Sequence, residues 1–178
     1  MSKFDTLDYL AFGNPLQQKS YEVLTRFAVF DALIPFSPIL VGTIPIDIAI
    51  ENSDLDIACF WTNKNDFIKT VTSSFSHHLN FTISETIINQ NETVLANFFI
   101  DRFEVEIFGQ NVPVKEQMGY RHMLIEAKIL KENDENFKNE IIRLKQNGIK
   151  TEPAFARLLN LKGDPYLALL DYFKLKKS

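Results

Sequence analysis

Apolar residues recur at helical and then at strand spacing along the first part of the chain. Asn14 and Pro15 are typical of a helix start, with Asn as the cap and Pro at the first helical position. The apolar spacing of residues 16–33 predicts one amphipathic helix that ends near Pro35. A short β-branched run at residues 39–43, which contains Gly42, then predicts a buried strand that leads into a loop.

The middle of the chain predicts most of a β-sheet. Residues 54–61 alternate at first and then become wholly apolar, which is typical of a strand that starts at a solvent-filled cleft and enters the core. Residues 65–79 have a helical pattern, and residues 81–108 predict a three-strand meander with turns at 89–92 and 101–102. Cys59 falls on the same side of its strand as Leu55 and Ile57, so we expect it to pack in the core.

The last third of the chain predicts helices, at residues 113–131 and 134–147, with further starts at Glu152 and Asp164. Gly148 is expected to end the second of these helices in a left-handed conformation. This order indicates an α/β (α+β) fold in which helices flank a mixed sheet. We expect one domain over residues 1–178, with a core at about 16–110 and a packed helical lobe at about 111–178.

Composition and charge exclude several classes of protein. Hydrophobic residues make up 46% and charged residues 24% of the chain, which is globular usage, and the net charge is −4. This acidic balance argues against broad nucleic-acid binding, which normally needs a basic surface. A single cysteine permits no internal disulfide and is typical of a reducing compartment. Because the pattern contains neither an apolar signal segment nor a spanning segment, we expect a cytoplasmic protein with no membrane span.

Two pairs of acidic residues alternate with apolar ones on predicted strands. Asp54 and Asp56 point to the same side with their Cα atoms roughly 6.6 Å apart, and Glu104 and Glu106 repeat the pattern. Like charges this close must remain in water, take up protons or share a cation, and carboxylate oxygens are the ligands that Mg²⁺ prefers. If the two strands are neighbours, one face holds up to four carboxylates. A bare pair of this kind is more often a solvated strand face.

The context of the first pair resembles the nucleotidyltransferase superfamily with the DNA polymerase β-like core. That pattern is an apolar residue, Gly, and then Gly or Ser, followed by a spacer of about ten residues, an acid-apolar-acid triplet and a third acid on a later strand. The matching residues are Val41-Gly42-Thr43, Asp54-Leu55-Asp56, and Glu104 or Glu106. Four longer strings look like a bacterial family known only as a domain of unknown function: Val41-Gly-Thr-Ile-Pro, Ser53-Asp-Leu-Asp-Ile, Val105-Glu-Ile-Phe-Gly-Gln110 and Lys150-Thr-Glu-Pro-Ala-Phe-Ala.

These resemblances imply a nucleotidyltransferase-like sheet, a reaction and a set of site residues. Asp54 and Asp56 would hold two Mg²⁺ (or Mn²⁺) ions that grip a nucleoside triphosphate. Glu106, which the second resemblance favours over Glu104, would bind one metal ion and help deprotonate the acceptor hydroxyl. Ser53 would also orient Asp54 through a hydrogen bond. The nucleotide-binding residues would be Gly42, Thr43 and Ser53.

One departure from the pattern leaves alternatives open. The spacer at residues 44–53 has no Lys or Arg, whereas active members often place a basic residue near the triphosphate, so Lys64, Arg102 or Arg121 would have to supply it. The first hypothesis is an enzyme that moves a nucleoside monophosphate to an unknown acceptor. The second is a catalytically inert domain that acts as a nucleotide sensor or protein-binding module, and the third is a metal-dependent phosphohydrolase. We expect His122 to form a structural pair with Glu126.

Overall fold

The computed structural model describes the backbone of residues 2–175 and the side chains of residues 2–172. The strands are β1 Ile39–Val41, β2 Leu55–Phe60, β3 Leu79–Ile88, β4 Asn91–Ile100 and β5 Phe103–Gln110. The helices are α1 Pro15–Arg26, α2 Val29–Leu33, α3 Lys64–Phe75, α4 Met118–Glu132, α5 Glu135–Gln146, α6 Thr151–Leu158 and α7 Pro165–Leu175. The structure thus confirms a mixed α/β fold.

The five strands form one sheet in the order β1-β2-β5-β4-β3. Strands β2 and β5 run parallel, and the other neighbouring pairs are antiparallel. The predicted meander of β3, β4 and β5 is present, and its first turn has left-handed backbone at Asn89 and Gln90, as a two-residue hairpin requires. The sheet therefore brings β2 and β5, which are far apart in sequence, side by side.

Each face of the sheet packs against a different set of helices. Leu55, Ile57 and Cys59 of β2 lie in a core cluster with buried residues of α1, α2 and α3, as expected from their alternation. Ala58 belongs to a second cluster, which is built with buried residues of α4, α5, α6 and α7. The predicted acids of β2 alternate with the first set, so they face the carboxy-terminal helices.

Three of the predicted helices have wrong bounds, and in two of them the chain leaves helical geometry part-way along. The helix expected at residues 16–33 is broken at Ala28, which has a left-handed φ of 52°, so that α1 and α2 are separate. The helix expected from Pro113 to residue 131 becomes a 3₁₀ turn followed by α4, because Gln117 is extended with ψ of 148°. The helix predicted at residues 65–79 ends at Phe75.

The predicted helix signals in the carboxy-terminal region are confirmed. Asp134 caps α5 by accepting a hydrogen bond from the backbone of Phe137, and Asp164 accepts one from Leu167 at the start of α7. Gly148 follows α5 with a φ of 83°. The last turn of α5, which precedes Gly148, supplies a residue of the candidate site.

Candidate functional site

All six residues predicted to form the site line one cavity. Asp56 of β2 and Glu106 of β5 are directly paired in the parallel register, so their side chains leave the sheet on the same face. The cavity has a volume of about 390 Å³, within the range usual for ligand pockets. Its walls include Gly42, Thr43, Ser53, Asp54, Asp56 and Glu106. We call it the acidic cavity.

Glu104, the alternative third acid, lies elsewhere. It lines a neighbouring depression together with Arg102 and is exposed, whereas Glu106 is partly buried. The two glutamates therefore differ in surroundings although they share a strand. Glu106 also accepts a hydrogen bond of 3.5 Å from Asn97, which β4 places opposite it, a contact that the sequence pattern did not indicate.

Burial and mutual repulsion disfavour the charged forms of two of these acids. Burial, followed by the charges of Asp54 and Glu106, raises the pKa of Asp56 to about 8. Burial also raises the pKa of Glu106, while the hydrogen bond from Asn97 acts in the opposite direction. A cation between these carboxylates would relieve both effects, because it favours their ionised forms.

Gly42 lets the loop after β1 approach Asp56 closely. Its φ of 79° lies in the left-handed region, and a Cβ atom built on it would lie 2.2 Å from Asp56 Oδ2. The next residue, Thr43, donates from its hydroxyl to Ser53 Oγ at 3.3 Å, and Ser53 Oγ accepts from the Ile50 amide at 2.9 Å. Among the described residues, Ser53 is therefore bonded within its loop, and the hydrogen bond expected with Asp54 is not formed.

Gly42→Ala is expected to displace Asp56, and Gly148→Ala supplies the matched control. Both glycines have left-handed φ values, 79° and 83°, but a Cβ at Gly148 meets nothing within 4 Å. Each variant should lose about 1 kcal/mol of unfolding free energy through backbone strain. Gly42→Ala alone should also weaken Mg²⁺-dependent nucleotide binding, by about tenfold, as measured by calorimetry. Equal binding by both variants would show that the close approach at Gly42 has no role in the site.

The spacer at residues 44–53 has no basic residue, but a lysine of the helical lobe lines the acidic cavity. Lys145, near the end of α5, is 8% exposed and lines the acidic cavity. Its Nζ donates to the Ile48 carbonyl oxygen at 2.6 Å. Burial lowers the pKa of Lys145 to about 8, and the charges of Glu126, Asp54, Asp56 and Glu152 act in the opposite direction. Lys145 was not predicted from the sequence, although it extends the buried face of α5 formed by Ile141 and Leu144.

The three basic residues that were considered from the sequence lie outside the acidic cavity. Lys64 pairs with Glu85 at 2.7 Å and with Glu92 at 3.1 Å, on the β3–β4 hairpin. Arg121 is exposed, and Arg102 lines the depression that contains Glu104. Within the described part of the chain, Lys145 is the one Lys or Arg that lines the acidic cavity.

Asp47, counted as an unfavourable charge in the spacer, has its own partners. It pairs with Lys138 of α5 at 2.5 Å and accepts a hydrogen bond from Asn14. Gln17 of α1 donates to the Ile44 carbonyl oxygen at 2.8 Å. The spacer is thus held between α1 and α5.

Three polar residues of the lobe complete the far wall of the acidic cavity. Glu126 is 4% exposed, and burial, followed by the charge of Glu152, raises its pKa to about 8. His122 contacts Glu152 at 3.5 Å through Nδ1 and the Tyr166 carbonyl oxygen at 3.0 Å through Nε2. The partner expected from the sequence, Glu126, forms neither of these two contacts. Both His122 and Glu126 interrupt the apolar face of α4, the signal by which they could be found.

The donor set suits a hard cation such as Mg²⁺, but the described chain does not present a complete metal site. Within residues 2–175, no group of three or more His, Cys, Asp and Glu side chains could hold a metal ion. Mg²⁺ at phosphate-transfer sites is commonly bound by one or two carboxylates and by substrate phosphates. Asp54 and Asp56, with raised proton affinity at Asp56, match that kind of partial site.

The sequence match decides the family. Residues 22–172 match the family described as "Domain of unknown function (DUF4269)". The chain belongs to the DUF4269 family. This finding confirms the resemblance noted from the strings around Gly42, Asp54, Glu106 and Thr151. No curated protein matches the DUF4269 chain, and within residues 2–175 no helix is long and apolar enough to cross a membrane.

Solved structures show which fold this DUF4269 chain has. The Cid1 poly(U) polymerase with MgGTP bound aligns over 72% of this chain and 41% of its own, at 11% identity and a TM-score of 0.51. The GLD-2/RNP-8 complex aligns over 84% and 59%, at 13% identity and a TM-score of 0.52. A Cid1 mutant bound to MgATP aligns over 85% and 47%, at 11% identity and a TM-score of 0.52. The chain therefore has the nucleotidyltransferase fold and spans about half the length of these structures.

Proposed function

We propose that this protein is a metal-dependent nucleotidyltransferase, which moves a nucleoside monophosphate from a nucleoside triphosphate to an acceptor hydroxyl. One observation carries the proposal. Asp54, Asp56 and Glu106 line the same cavity as the Gly42-Thr43 loop, and Lys145 reaches that cavity from α5. A lone acidic strand face would have neither the close loop nor the buried base. The MgGTP- and MgATP-bound structures of similar fold support the same conclusion.

Different residues of the cavity would bind the metal ions and the phosphates of the nucleotide. Asp54 and Asp56 would hold Mg²⁺ or Mn²⁺, which when bound neutralises phosphate charge. The Thr43 hydroxyl and the backbone amides near Gly42 would donate to phosphate oxygens. Lys145, which lines the same cavity, would place its positive charge beside the triphosphate.

Glu106 would act as the general base. Burial raises its pKa, which brings a carboxylate closer to the proton affinity that a base needs near neutral pH. The acceptor hydroxyl oxygen would form a bond to the α-phosphorus, and the bond from that phosphorus to the pyrophosphate oxygen would break. The hydroxyl proton passes to Glu106, and the pyrophosphate leaves with the electron pair of the broken bond.

Calorimetric titration with ATP, GTP, CTP and UTP, in Mg²⁺ and in EDTA, tests the proposal. At least one nucleotide is expected to bind about tenfold more tightly with Mg²⁺. Glu106→Gln should weaken that binding by about tenfold, since Glu106 is proposed to be a metal ligand as well as the general base. Glu104→Gln is the control, because it removes the same charge two residues earlier on the same strand and outside the acidic cavity.

The outcomes separate the hypotheses. If a well-folded wild type binds none of the four nucleotides, the nucleotidyltransferase proposal is wrong. If both glutamate variants weaken binding equally, Glu106 has no special place in the site. Nucleotide binding with no pyrophosphate released, whatever acceptor is added, would favour the inert sensor. Hydrolysis of the nucleotide in the absence of any acceptor would favour the phosphohydrolase.

A further inference from the structure

A second cavity continues from the acidic cavity towards α7. It has a volume of about 600 Å³, and we call it the side cavity. The two cavities share part of their walls, namely Phe108, Gln117, Gly119, His122 and Glu152. A molecule in the side cavity would therefore lie next to the nucleotide proposed for the acidic cavity, as an acceptor must.

Two buried side chains that line the acidic cavity have oxygens that accept no hydrogen bond from the described residues. Gln117 is 3% exposed, and its Nε2 donates to the carbonyl oxygens of Cys59 and Val112, each at 2.8 Å. Those two bonds fix the amide orientation, so Gln117 Oε1 is an acceptor without a partner in residues 2–175. Glu126 Oε1 is likewise without one. Because unpaired buried acceptors are costly, a ligand that donates hydrogen bonds suits this wall.

The two cavities are lined by many more acidic than basic side chains. Five carboxylate residues line the acidic cavity, namely Asp54, Asp56, Glu106, Glu126 and Glu152. Glu116 and Asp164 add to the side cavity, whose described lining contains no Lys or Arg. Metal ions would balance the nucleotide and the first three acids, which leaves Lys145 as the one Lys or Arg of the described lining beside the acids of the helical lobe. A polyanionic acceptor such as RNA would need the reverse charge.

We propose that the acceptor is a small amino alcohol, whose ammonium group is bound by Glu126 of the acidic cavity and by Glu152, which lines both cavities, and whose hydroxyl receives the nucleotidyl group. The inference rests on the proposed function and names its acceptor class. Gln117 Oε1 accepts a second hydrogen bond from the same molecule. The positive charge and the hydrogen-bond donors of the ammonium group are what the site would recognise, and they distinguish this acceptor from a neutral polyol and from RNA.

NMR titration of the full chain with two matched pairs of probes tests this proposal. Glucosamine is compared with glucose, and 1,3-diamino-2-propanol with glycerol, in about 0.2 M salt to screen non-specific attraction. Each amine is expected to bind at least about tenfold more tightly than its uncharged analogue, because its ammonium group forms roughly one desolvated ion pair with a carboxylate. Glu126→Gln and, separately, Glu152→Gln should remove that preference. Glu132→Gln, at the exposed end of the same helix, should keep it.

Proton release gives an independent readout. Glu152 and Lys145 face Glu126 from α6 and α5, and burial raises the Glu126 pKa to about 8. At pH 7 Glu126 is largely protonated, so an ammonium ion beside it should displace the proton, whereas a neutral polyol should not. The amine binding enthalpy should therefore depend on the ionisation enthalpy of the buffer.

The titrations are done with and without Mg²⁺ and the nucleotide that binds best, so that two failures can be told apart. Nucleotide binding without any preference for the amines would overturn the amino alcohol alone. Amine binding that is unchanged in both Glu126→Gln and Glu152→Gln would overturn it too, as would tighter binding of a single-stranded oligouridylate. Absence of nucleotide binding counts against the proposed function, and the amine titrations without nucleotide still test the site.

Discussion

Asp56→Asn is expected to abolish Mg²⁺-dependent nucleotide binding while making the metal-free protein less sensitive to rising pH. The nucleotide affinity should fall by about a hundredfold or more, because the variant loses a ligand that no other residue of β2 can replace. The side chain keeps its size, so the packing around Gly42 is retained. Calorimetry with the nucleotide that binds the wild type measures the loss, and Glu51→Gln, an exposed acid of the preceding loop, is the control.

The stability effect follows from the sign of the Asp56 shift. Its folded pKa of about 8 lies above the ordinary aspartate value of 3.8, so its contribution to stability is complete below about pH 4 and is lost as the pH rises towards 8. Between pH 5.5 and 7.5 the wild type should lose about 2 kcal/mol of unfolding free energy through this group. Asp56→Asn should lack that decline, and urea denaturation at several pH values measures it.

Other groups of the cavity set the background for this measurement. Glu126 is shifted in the same direction and should leave part of the slope in the variant. Lys145, with its pKa lowered to about 8, should change its contribution only above that pH. Nucleotide affinity in Mg²⁺ should rise with pH up to about 8, because the metal displaces the Asp56 proton. A variant with the wild-type pH slope would mean that Asp56 is ionised in the metal-free protein.

Strand alternation made the sheet side of the site predictable. A period of two places Asp54 and Asp56 opposite Leu55 and Ile57, and burial of the apolar pair then decides which face the acids occupy. The same rule made Glu106 a candidate, but its pairing with Asp56 depends on a parallel contact between distant segments. The alternation left open whether the two strands are neighbours, and the resemblance implied only that Glu106 is the third acid.

The helical side of the site could not be predicted because it depends on how the lobe packs. Lys145 and Glu126 are charged residues on the buried faces of α5 and α4, and helical periodicity alone does not say what they contact. The break at Ala28 has a similar origin. Alanine has the highest helix propensity, so a left-handed Ala28 reflects tertiary packing over local preference.

Lys145→Met is expected to destabilise the protein by about 3 kcal/mol at pH 7, since it removes a buried cation that attracts the charges of Asp54 and Glu152. Its burial and its hydrogen bond to the Ile48 carbonyl oxygen also support a large effect. Lys138→Met is the matched control, two turns earlier on α5. Because Lys138 pairs with the half-exposed Asp47, that variant should lose no more than about 1 kcal/mol.

A second substitution separates the structural role of Lys145 from its proposed contact with the triphosphate. Glu152→Gln in the Lys145→Met background should restore part of the lost stability, because it removes a nearby charge that the methionine cannot balance. It should not restore nucleotide affinity, which is expected to stay at least about tenfold below the wild type. Denaturation and calorimetry on the same samples measure both quantities. If nucleotide affinity recovers together with stability, Lys145 holds the lobe in place and does not bind phosphate.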